Sequence, residues 1–139
     1  MTTDRIKSAI ITLLDQSKPD SDITVTDAQG FADISLPSLS VGVTGAEPHS
    51  ATLHNVYKVQ LEIKLRAHSG DTDTRDTVKT WCGRVEETLN DPSLVPAIAN
   101  ASGNQVACDF WRVDGGTLEW EETTLLATWT AEAWCRRTG

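Results

Sequence analysis

The sequence predicts an α+β domain over residues 1–139: a mostly antiparallel β-sheet of four to five strands, with one long helix and an N-terminal helix packed on one face. Two observations carry this. From Tyr57 to Arg66 apolar and polar residues alternate without a miss. Tyr57, Val59, Leu61, Ile63 and Leu65 therefore share one face of a strand, and Lys58, Gln60, Glu62, Lys64 and Arg66 share the other. Such a one-sided strand belongs to a sheet with one buried face, typically antiparallel. Just downstream, Val78, Trp81, Cys82, Val85 and Leu89 recur at helical spacing, with Lys79, Arg84, Glu86 and Glu87 opposite. The two apolar faces are joined by a short turn, so this helix is expected to lie directly on that strand.

The remaining elements follow in order. Residues 4–17 read as a helix through Ile6, Ile10, Leu13 and Leu14, ended by Lys18-Pro19. Ile23 to Val25 reads as a short edge strand, and Asp27 to Asp33 as a loop around Gly30. Leu36 to Val43 reads as a strand, with Pro37 confined to its beginning or to a sheet edge. Residues 44–55 show no periodicity and are expected to form an exposed loop between paired strands. In the turn before the long helix, Asp71 or Asp73 is placed to cap the first amides. Asn90-Asp91-Pro92 ends that helix, and Leu94 to Ile98 forms another helical turn interrupted by Pro96. Val106 to Val113 is a strand whose Ala107-Cys-Asp-Phe-Trp segment mixes faces, as a strand buried on both sides or a bulge would. Asp114-Gly115-Gly116 is a turn signal. Glu119 to Glu122 fits strand or loop, and Thr124 to Arg136 is a strand with Leu125, Ala127, Trp129, Ala131 and Ala133 on one face.

Composition narrows the function. Twenty acidic against twelve basic residues give a formal charge of −8, unsuited to sequence-specific nucleic-acid binding or to anionic membrane. No secretory signal is read at the amino terminus and no run is long enough to span a bilayer. Cys82, Cys108 and Cys135 are odd in number and far apart. They read as small core hydrophobes in a reducing compartment.

No arrangement of residues sets a chemistry. Asp71 to Asp76 begins like a calcium loop, but its fifth, sixth and twelfth positions are Arg75, Asp76 and Cys82, where an oxygen ligand, Gly and Glu are needed. His49, His54 and His68 lack the companions of a zinc site. There is no nucleophile elbow and no phosphate loop. The expectation is a protein that is not an enzyme, with no cofactor, no metal and no small-molecule substrate. Two alternatives stand beside it. One is a monomeric or dimeric bacterial module that binds a protein through residues 44–55. The other is a small enzyme whose site assembles from scattered residues such as His54, Asp109 and Glu121.

The element order also carries a resemblance. An N-terminal helix leads to Leu39-x-Val41-x-Val43, a loop, and the strand Val56-Tyr-Lys-Val-Gln-Leu-Glu-Ile-Lys-Leu. A Gly-Asp-Thr turn then opens a helix closing in Val85-Glu-Glu-Thr-Leu-Asn-Asp-Pro, before two final strands. Over residues 4–136 this resembles the tail-terminator or tail-completion (head–tail joining) proteins of tailed bacteriophages and prophages. The resemblance implies a structural virion protein that forms a ring with copies of itself, commonly a hexamer. It implies tail-tube and head-connector proteins as partners, in the host cytoplasm during assembly and then in the virion tail. Within that reading the 44–55 segment is the contact loop, with Glu47, His49, Leu53 and His54 as its interaction residues.

Overall fold

The computed structural model describes residues 2–28, 36–50, 53–68, 70, 72–121 and 123–137. The fold is α+β. Its elements run α1 (Thr2–Ser17), β1 (Thr24–Asp27), β2 (Ser38–Ser50), β3 (Leu53–His68), α2 (Thr72–Asn90), α3 (Leu94–Ala101), β4 (Val106–Glu121) and β5 (Thr124–Arg137). The strands form one sheet in the order β1-β2-β3-β5-β4. The β2–β3, β3–β5 and β5–β4 pairs are antiparallel, but β1 runs parallel to β2, so the sheet is mixed. The described residues hold three helices: the expected N-terminal and long helices, and the helical turn expected at Leu94 to Ile98, which extends as α3 to Ala101.

One face of the sheet is the core. The register sets Leu39, Leu65 and Ala127 in one row and Val41, Ile63 and Trp129 in the next, all buried. Ile6, Ile10 and Leu14 of α1, Val78, Val85 and Leu89 of α2, and Leu94 and Ile98 of α3 close over this face as one cluster. The strand nearest α2 is β4, whereas α1 approaches β1 and β2. This corrects the expectation that α2 lies directly on β3. Two neighbours in sequence are separated in the sheet because β5 inserts between β3 and β4. Trp81 is half-buried beside the cluster, and Cys82 is the buried member of that turn.

Three further differences have local causes. Residues 44–55 are not a loop: β2 continues to Ser50 and pairs with β3 through Ala46↔Val59, Glu47↔Lys58 and Ser50↔Leu53, with residues 51–52 outside the described set. Register shifts at Val43/Gly45 and Pro48/Ser50 break the alternation that marks a strand. Asp114-Gly115-Gly116 is no turn either. It lies within β4, where a second shift between Gly115 and Thr117 accommodates it as a bulge with positive φ at both glycines. Pro96 does not interrupt α3, because it occupies the first turn, where its missing N–H has no intrahelical acceptor. The shift between Cys108 and Phe110 is the bulge that the mixed faces of β4 suggested. Glu119 to Glu121 belong to β4, Asp73 lies in the first turn of α2, and Asp71 and Glu122 lie outside the described residues.

Candidate functional site: the β2–β3 arm and the open face

β1 pairs with β2 only from Ser38 to Val41, yet β2 runs on to Ser50. Its distal half and the first part of β3 therefore form an arm whose outer side faces no strand among the described residues, while β3 stays paired with β5 from Val56 onward. All four expected interaction residues fall on this arm. Glu47 is exposed on β2 opposite Lys58. His49 lies near the end of β2, and Leu53 and His54 open β3. For these last three, backbone placement alone is described.

The arm continues into the face of the sheet that the helices leave open. Bulged Thr44 shifts the row, so Gly45 and Glu47 share the open face with Gln60 and Lys58. A shallow groove runs from there between Gln60, Arg112, Asp114 and Glu132. Ion pairs cross the open face: Lys58 with Glu132 at 3.6 Å, Lys64 with Glu62 at 3.2 Å, Arg112 with Asp114 at 3.7 Å and Arg136 with Asp109 at 2.8 Å. Exposed pairs of this kind contribute roughly 0–1 kcal/mol each, so their effect is to order side chains more than to stabilise the fold. The Trp134 indole donates to Glu132 Oε1 at 3.1 Å, and this bond holds the Glu132 carboxyl below its ordinary range, helped by Lys58. Phe110 packs against Trp134 with ring centroids 4.6 Å apart and ring planes tilted by 31°.

These open-face aromatics were not singled out from the sequence, although a signal for Trp134 existed. It alternates with Ala133 and Cys135, and the buried row of β5 leaves it on the opposite face by elimination. The scattered trio His54, Asp109 and Glu121 is not brought together. Asp109 lies near the start of β4 and Glu121 ends it, about 40 Å apart along a strand rising about 3.3 Å per residue. Asp109 also accepts both carboxylate contacts from the Arg136 guanidinium, at 3.1 and 2.8 Å. The arrangement offers an extended polar surface with an aromatic step, suited to contact along a strand or across a sheet. Neither a protein-family model nor a curated protein matches the chain.

Proposed function

We propose that this chain is a non-catalytic structural subunit that closes into a ring at a phage head–tail junction, as a tail terminator or tail-completion protein. The observation that supports this reading is the β2–β3 arm, which runs beyond β1 and leaves the outer side of β2 without a strand after Val41 among the described residues. On the opposite side β4 is the last strand of the sheet. Two unlike edges on opposite sides are what a head-to-tail contact requires, and such contacts close into rings when the rotation permits. Backbone groups on an open edge readily recruit another strand. A charge of −8 per subunit suits a ring through which DNA passes without adhering.

The test is deletion of residues 46–53 in a phage that encodes the chain. The shortened protein should fold, and heads and tails should accumulate unjoined. Joined, infectious particles at normal yield from a correctly folded deletion would end this reading.

A further inference from the structure

We propose that Cys108 and Cys135 form a reversible cross-strand disulfide, a thiol-oxidation site that covalently ties the outermost strand β4 to β5. The two cysteines are register partners, directly opposite on antiparallel strands and on the same face of the sheet. Both are free thiols and buried. Directly opposed residues place their Cβ atoms about 4.5–5.5 Å apart, and a disulfide needs about 3.5–4.5 Å, so a shift of roughly an ångström closes the gap. The bulge between Cys108 and Phe110 lies beside the pair and supplies backbone freedom for that shift.

The Cys108 thiol donates to the Phe110 carbonyl at 2.9 Å. The neighbouring Cys135 holds the Cys108 thiol below its ordinary range against the effect of burial, and the neighbouring Cys108 pushes Cys135 up. Cys108, slightly exposed on the edge strand, is the attacking sulfur, and Cys135, fully buried on the strand inside it, is the resolving one. Cys82 sits apart on α2, where burial first and Glu86 second push its thiol up to about 11.

With a peroxide as oxidant the step balances. The Cys108 thiol gives up its proton and its thiolate attacks one peroxide oxygen, breaking the O–O bond. This leaves a sulfenic acid and releases hydroxide, which takes up the proton as water. The Cys135 sulfur then attacks the sulfenic sulfur, forming the S–S bond and releasing a second water. Two thiols are oxidised and one peroxide is reduced. Position favours access, because β4 is the outermost strand and opens without disturbing β3.

The experiment treats the full chain with hydrogen peroxide and maps its peptides without reductant. The expected result is an intact mass lower by two hydrogens, about 2 Da, with the Cys108 and Cys135 peptides joined and Cys82 free. Dithiothreitol should restore three thiols, and the oxidised protein should melt at a higher temperature. Cys82→Ser should leave the reaction intact, while Cys108→Ser and, independently, Cys135→Ala should abolish it. Mapping the unmutated chain keeps the test decisive if a variant fails to fold. Three thiols persisting after treatment, a bond involving Cys82, disulfide-linked dimers, or Cys108 halted as sulfenic or sulfinic acid would each overturn the proposal.

Discussion

Trp111 on β4 donates its indole N–H to the carbonyl of Leu89 at 2.7 Å, and so fastens the end of α2 to the outermost strand. Leu89 is in the final turn of α2, where backbone carbonyls have no intrahelical donor. The bond therefore satisfies a group that would otherwise be stranded near the core. Trp111→Phe keeps a ring at this position and removes the donor. It is expected to cost about 1–2 kcal/mol in denaturant unfolding, the penalty for an unmet part-buried carbonyl. A midpoint unchanged from wild type would mean that water replaces the indole.

The same helix gives a ranking test. Leu89 is fully buried, and Leu89→Ala should cost about 2–5 kcal/mol, the range for deleting a core leucine. Trp81 is larger but only half-buried at the border of the cluster, so Trp81→Ala should cost less than Leu89→Ala. Thermal melts of the two variants check the order, and the reverse order would mean that α2 is rotated about its axis.

At the second bulge of β4, Gly115 has φ +111, and an added Cβ would run into the Thr128 carbonyl oxygen. The neighbour is backbone and cannot swing aside. Gly115→Ala should destabilise by about 1–3 kcal/mol from the backbone conformation, with the clash adding to that. Soluble, wild-type-like protein from this variant would show that the strand reaches Glu121 without the bulge.

That glycine pair also shows where the sequence was legible. Alternation along β3 and β5 and the stripe on α2 are direct consequences of one-sided burial, and each can be read from residue type alone. A bulge removes the periodicity locally while the pairing continues, so Asp114-Gly-Gly imitates a turn and Thr44 to Ser50 imitates a loop. The helix-to-strand pairing was misread for a different reason. Insertion of β5 between β3 and β4 is decided by contacts distant in sequence, and no local pattern carries it. For the candidate site, Glu47, His49, Leu53 and His54 read as loop residues but lie on two paired strands, and neither that pairing nor the Phe110–Trp134 contact was legible.

Two carboxylates set a response to acid. The Ser93 backbone N–H, donating at 2.9 Å, holds Asp91 below its ordinary 3.8, and the Trp134 indole holds Glu132 below its ordinary 4.5. Both folded-state values lie below the unfolded ones, so the folded protein binds protons less readily than the unfolded chain. Their contribution is complete above the ordinary values and is lost as pH falls through the depressed ones. Stability from these two groups should therefore be flat down to about pH 5 and decline below about pH 4.5. Asp91→Asn with Glu132→Gln should make the decline shallower. An equally steep acid limb in the double variant would assign the response to other carboxylates.

Lys7 of α1 supplies the last prediction. Its ammonium meets Asp27 of β1 at 2.8 Å, with the lysine side chain only 9% exposed and the aspartate 42%. The asymmetry decides what each deletion does. Removing the partly solvated aspartate leaves a buried cation without this partner, and the cost is mainly that of the stranded charge. Removing the cation leaves a carboxylate that reaches water. Asp27→Ala should therefore cost about 1–3 kcal/mol, while Lys7→Met, which keeps the apolar stem packed, should cost less. Urea unfolding of the two single variants and the double variant measures the difference. With Lys7→Met in place, Asp27→Ala should cost less than it does alone, since no buried cation remains to be stranded. Equal and additive costs would instead mean that water screens the pair and that α1 is held to β1 by its apolar contacts alone.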